Sequence, residues 1–296
     1  MTKIRQYKSI LALGLSAIMI IGSPPLFAQD LGNIGPRNLT ELRFDECMDL
    51  ALEDPERAVA EASIWYVDGG KFYARHCLGF AHAQAFRFNE ALIAFVDAAQ
   101  QAEKAKDKIA ARFWMQAGNA ALADNQFTQA ITHIDAGLAL GTLTSQQQGE
   151  GHLDKARALV MLENPDAAKA ELQMAQKLAA EDPLIWLLSA TLARRMGDLP
   201  LAKADIITAS KLSPNDPAIA LEAGNIAFSV HDFGEAKTQW QQAITLRPNG
   251  RHAETAKGYL DQLNDVQAPE AASTDASASA EAAPSSEASS AEAATP

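Results

Sequence analysis

Positive charge is scarce in this 296-residue chain, where 25 lysines and arginines face 37 aspartates and glutamates for a formal net charge of −12. So acidic a surface repels phosphate backbones and anionic lipid, which argues against nucleic-acid binding through a general basic field. Cysteine is almost missing: Cys47 and Cys77 are the two present and form no Cys-x-x-Cys redox pair. The six histidines are scattered, and His76 and His82, six apart on one expected helix, fall on opposed faces, so no metal site is expected. No Gly-x-Ser-x-Gly elbow, phosphate loop, Rossmann glycine pattern or His-Glu-x-x-His is present. The Asp-Phe-Gly triplet at 232–234 lacks any companion glycine-rich or catalytic loop. Carboxylates abound, but Asp54, Asp182, Asp198, Asp216 and Asp232 stand where helices begin, and capping explains them. The expectation is no catalytic residue, no cofactor and no enzyme activity.

The two ends differ from the middle. Lys3, Arg5 and Lys8 precede an apolar run from Ser9 to Ile21, and Pro24-Pro25 lead to Ala28. This is the layout of a secretory signal peptide, residues 1–28, cleaved after Ala28. The run falls short of the roughly 20 residues of a membrane span, so no stable membrane insertion is expected after cleavage; retention as an N-terminal anchor is the alternative. Export to a bacterial periplasm follows, with 29–43 as a linker. Residues 266–296 are nearly all Ala, Ser, Glu, Pro and Thr, without Lys, Arg or an aromatic. Such a composition cannot offset its own ordering entropy, and a disordered acidic tail is expected there, either solubilising or a spacer with a docking role.

Between the ends, punctuation is periodic. Asp182-Pro183 and Asp216-Pro217 each offer an N-cap followed by proline at the first helical position, 34 residues apart, and Pro214 and Pro248 repeat the interval. Trp186, Ala190, Ala193, Gly197, Ala202, Ile206, Ala209 and Leu212 fall in register with Ala220, Gly224, Ala227, His231, Ala236, Trp240, Ala243 and Leu246. Small residues recur where two helices must approach, with large apolar ones beside them at helical spacing. Each unit reads as one antiparallel helix pair, and Asp232 with Glu235 has the pattern of a capping box.

A 34-residue helix–turn–helix repeat with these small, bulky and proline positions resembles the tetratricopeptide repeat. Weaker copies begin near residues 72, 111 and 149, carried by Gly79, Phe95, Gly118, Ile134, Ala156 and Leu172 among others. The two earlier ones are longer than 34, with Gly141 to Gln148 absorbing one excess and Glu103 to Lys108 expected to extend a second helix. Phe44 to Val67 forms a degenerate pair broken at Asp54-Pro55, and Ala253 to Leu263 a capping helix. The resemblance covers 44–263. It implies an all-α fold, a right-handed α-solenoid of antiparallel helix pairs.

It also implies a function: a non-catalytic protein-interaction scaffold of the cell envelope whose first helices line a groove for an extended peptide or helix of a partner. Carried over repeat by repeat, the partner-binding positions are Arg112, Met115, Gln116 and Asn119; Leu153, Arg157 and Val160; Leu187, Thr191, Arg194 and Arg195; and Leu221, Asn225 and Phe228. Guanidinium groups suit carboxylates, although Arg194 and Arg195 also read as solvated cations at a helix end. The stacking implied for these helices places Cys47 near Cys77, giving either a disulfide or two buried thiols. The alternative function is a cell-wall or carbohydrate-binding accessory module, or a non-catalytic subunit of an envelope enzyme. It rests on the aromatic cluster of Trp65, Tyr66, Phe72 and Tyr73.

Overall fold

The computed structural model describes residues 39–278, with side chains through residue 264. The expected signal peptide, most of the linker and residues 279–296 lie outside the described residues. The chain divides into two compact units, Met1–Arg43 and Phe44–Pro296. Of the first, only the opening residues of a helix, Leu39 to Arg43, are described.

Among the described residues there are thirteen α-helices and no strand: α1 Leu39–Glu53, α2 Pro55–Trp65, α3 Lys71–Gln84, α4 Phe88–Lys104, α5 Ala110–Ala123, α6 Phe127–Ala139, α7 Ser145–Met161, α8 Pro165–Leu178, α9 Pro183–Arg195, α10 Leu199–Leu212, α11 Pro217–Ser229, α12 Phe233–Leu246 and α13 Arg251–Ala278. A π-helical turn, Tyr66–Gly70, joins α2 to α3. From α2 onward each helix packs on the next, and first helices also touch across repeats, α5 on α7 and α9 on α11. The architecture is an all-α solenoid of antiparallel pairs.

Small residues permit that packing. Ala168 and Ala175 of α8, Ala202 and Ala209 of α10, and Ala236 and Ala243 of α12 are all fully buried, each pair 34 residues after the last. Within pairs a second rule operates at an interval of 16. A Cβ on Gly79 would lie 2.7 Å from Phe95, on Gly118 2.4 Å from Ile134, and on Gly224 2.4 Å from Trp240. At the equivalent places Ala156 packs in one cluster with Leu172, and Ala190 with Ile206. The bulk of the second-helix residue is thus matched by a small residue opposite.

The turns inside the pairs share one conformation. Phe86, Asn125, Glu163, Gly197 and His231 take positive φ, and the next residue closes the preceding helix through its own N–H. Asp54, Asn164, Asp182, Asp198, Asp216 and Asp232 all accept a backbone N–H of the helix they precede. At Asp232 this corrects the capping-box expectation. Its side chain accepts from Glu235 N at 3.0 Å, but its own N–H bonds Ala227 O, while the Glu235 carboxylate receives the Gln239 amide. The capping box forms instead at Thr144 and Gln147.

Three boundaries also move. Helix α4 stops at Lys104, because Lys106 turns at φ 56° and Asp107 N closes onto Ala102 O, so the stretch to Lys108 does not extend the helix. Part of the Gly141 to Gln148 stretch belongs to α7, which starts at Ser145. Helix α13 begins at Arg251 and continues to Ala278, past the expected end of the capping helix at Leu263. At the other end Cys47 of α1 and Cys77 of α3 form a disulfide with Cα atoms 6.1 Å apart, set among Trp65, Ala74 and Leu78.

Candidate functional site

Helices α5, α7 and α9 line a groove of about 930 Å³. Its floor is apolar and buried, with Leu153, Ala156 and Leu192 at its base. Met115 lies across that floor for lack of anything to hold it off. A Cβ on Gly151 would come within 2.6 Å of its Cε, and one on Gly137 within 3.1 Å of its Sδ. These glycines let α5, α6 and α7 approach, so the thioether fills the junction.

Charge is arranged along the helices. Arg112, Glu150 and Asp182 stand toward the N-terminal ends of α5, α7 and α9, whereas Asn119, Arg157 and Arg195 stand toward C-terminal ends. Asp182 is committed to its cap, accepting from Leu184 N at 2.9 Å. Asp154 accepts from Arg157 Nη1 at 3.1 Å, yet burial pushes its carboxyl above the usual range against the pull of that guanidinium. Arg112, Gln116, Asn119 and Arg195 are exposed, and neither Arg112 nor Arg195 makes an ion pair among the described residues.

Behind the Arg112 end, His76 is buried between the rings of Phe44, Phe95 and Phe113, stacked on the last at 4.4 Å. Its Nδ1 has no hydrogen-bond partner. Burial, with a smaller contribution from Arg112, lowers its pKa to about 3, so the ring is neutral.

Of the residues expected to face a partner, the groove gathers Arg112, Met115, Gln116, Asn119, Leu153, Arg157, Val160, Thr191 and Arg195. The Thr191 hydroxyl is engaged with Leu187 O at 2.9 Å. Leu187, Arg194, Leu221, Asn225 and Phe228 stand elsewhere. Leu187 packs beside Ala190 and Ile219, and Leu221 beside Ala220 and Trp240. Arg194 places its guanidinium on both carboxylate oxygens of Glu222, at 2.7 and 3.3 Å. Asn225 donates to the same carboxylate at 3.0 Å and accepts from Trp240 Nε1 at 3.1 Å. Consecutive residues on a helix diverge by about 100°, which sends Arg195 to the groove and Arg194 to α11. Phe228 rests against Phe233 and Trp240 with its other face exposed.

Sequence reasoning overlooked Gly151, Asp154, Leu188 and Glu222. Glu222 had a signal: it is the lone charge in the run from Pro217 to Ser229, 7% exposed, where a carboxylate needs a cation. Gly151 had none, since only the crossing of α5 with α7 shows what it accommodates. A second charged cluster, Lys155 with Asp135 and Glu171 and His152 with Glu171, ties α6, α7 and α8 together outside the groove. The aromatic cluster offers no open platform. Trp65 and Phe72 are buried and Arg75 covers the Tyr66 ring at 4.3 Å.

Several solved structures share this arrangement. PilW, a widely conserved type IV pilus biogenesis factor, aligns with a TM-score of 0.63 at 15% identity over 74% of this chain and 98% of its own. PilF of Pseudomonas aeruginosa gives 0.58 at 15% identity over 74% and 99%. MamA of Desulfovibrio magneticus RS-1 gives 0.52 at 16% identity over 62% and 98%. No protein-family model matches the chain. No curated protein matches it by sequence.

Proposed function

The chain has the tetratricopeptide-repeat fold, and we propose that it is a non-catalytic scaffold of the bacterial cell envelope that holds a partner segment in the groove of α5, α7 and α9. The observation that carries this reading is the groove itself: an apolar floor around Met115 and Leu153 beneath exposed amide and guanidinium donors, Asn119, Arg112 and Arg195, that the fold does not consume. Rigid stacked helices present these groups preorganised, so the ordering cost of association falls on the partner. The matching segment is extended or helical, with apolar side chains for the floor and carboxylates for the arginines. Export is supported by the leader-like sequence layout of residues 1–28 and by the Cys47–Cys77 disulfide, which suits an oxidising compartment. PilW, described as a pilus biogenesis factor, supports envelope assembly as the setting.

A display library of random peptides selected on the chain without its leader tests the reading. Selected peptides should combine acidic and apolar residues and lose at least about tenfold in affinity to Arg112→Glu with Arg195→Glu. Arg194→Ala, by contrast, should lower the melting temperature with little effect on affinity. Peptides that bind the double variant as tightly as the unaltered protein would place the site outside the groove. Mass spectrometry of the N-terminus of the expressed protein tests export, which predicts Gln29 as the first residue.

A further inference from the structure

We infer that in the resting molecule the groove holds the chain's own acidic C-terminal segment, residues 279–296, which a partner must displace. The inference rests on the groove being the binding site proposed above.

The first ground is charge. In a chain with a net charge of −12, Arg112 and Arg195 reach the groove and meet no carboxylate among the described residues. Residues 279–296 carry Glu281, Glu287 and Glu292 and no Lys or Arg. Their remaining residues are Ala, Ser, Thr and Pro, small enough to suit an apolar floor without a deep pocket. The second ground is direction. Helix α13 packs on both α12 and α11, and the alternation of antiparallel helices makes it run in the same sense as α11, α9 and α7. Its C-terminal end therefore points toward the side on which Arg157 and Arg195 lie, the end of the groove away from Glu150 and Asp182.

The third ground is reach. Neighbouring helices lie about 10 Å apart, and the 28 residues of α13 overhang the 13 of α11 by about 20 Å. The way from Ala278 back to the Arg195 end of α9 therefore amounts to a few tens of ångströms. A segment of this length spans up to about 60 Å when extended. Tethering on that scale gives a local concentration in the millimolar range, enough to fill a site of weak intrinsic affinity.

A fluorescein-labelled peptide with the sequence of residues 279–296 is the probe, read by fluorescence anisotropy. It is titrated with the unaltered chain and with the full chain carrying Glu281→Gln, Glu287→Gln and Glu292→Gln. A third titration uses that triple variant with Arg195→Glu added. The probe should bind the neutralised chain at least about tenfold more tightly than the unaltered one, and Arg195→Glu should abolish the gain. Equal affinity for the unaltered and neutralised chains, or binding to neither, overturns the inference. So does a concentration-dependent dimer of the unaltered chain that the neutralised chain does not form, because the occupant is then the tail of a second copy. If Arg112→Glu with Arg195→Glu abolishes binding of display-selected peptides while the first two titrations coincide, only the tail inference falls. If those peptides ignore the arginines, the groove reading itself falls.

Discussion

At the residue scale, His76 is an imidazole in a site that will not accept charge. Three rings surround it, its Nδ1 has no partner, and its pKa is lowered to about 3. Because the folded pKa is depressed below the usual value near 6.5, the unfolded chain binds a proton that the folded one refuses. Stability from this group is complete above pH 6.5 and is lost as pH falls toward 3. Between pH 6.5 and 5 the loss amounts to about 2 kcal/mol. Melting temperatures across that window should fall for the unaltered protein and fall less for His76→Phe; parallel curves would refute the assignment. Gly224 is a second residue whose role is measurable. Even a Cβ there would sit 2.4 Å from Trp240, whose indole also donates to Asn225. Gly224→Leu should cost about 1–3 kcal/mol or more by overpacking, read by chemical denaturation.

At the element scale, five intra-pair turns use the same left-handed residue, and only one of them, Gly197 at φ 81°, is a glycine. No atom lies within 4 Å of a Cβ built there, so Gly197→Ala isolates the backbone cost, about 1–2 kcal/mol of destabilisation. Glu163, at φ 58° and exposed in the equivalent turn, predicts the opposite sign, with Glu163→Gly stabilising by up to about 1 kcal/mol. Urea denaturation of both variants checks the pair, and shifts of the same sign would show that the turns are not equivalent. The intra-pair turns at Asp198 and Asp232 were legible because capping residues announce themselves locally. The left-handed residues before Arg87, Gln126 and Asn164 were not, because Phe86, Asn125 and Glu163 adopt that conformation only under the demand of the antiparallel return.

At the scale of the whole molecule, stability is a chain of nearest-neighbour interfaces, so damage at one end need not melt the other. The Cys47–Cys77 disulfide closes 30 residues at the α1–α3 end. Replacing both cysteines by alanine should cost about 3–4 kcal/mol, if unfolded-chain entropy dominates. Hydrogen exchange should then rise first in α1 to α3 and leave α9 to α12 protected; uniform loss of protection would mean that the array unfolds as one cooperative unit.

The architecture and the first helices of the groove were set by the sequence alone, because an interval of 34 residues, alanines at fixed places within it and Asp-Pro caps are local and periodic signals. So was the membership of Arg112, Gln116, Asn119, Arg157 and Arg195 in one surface, since positions in register share a face of a solenoid. Only the tertiary structure decided that Arg194 and Asn225 serve the fold and Arg195 does not. Register assigns a residue to a helix and a rough face, but Glu222 arrives from the next repeat, 28 residues on, and a buried carboxylate claims the cation and amide within its reach before any partner can.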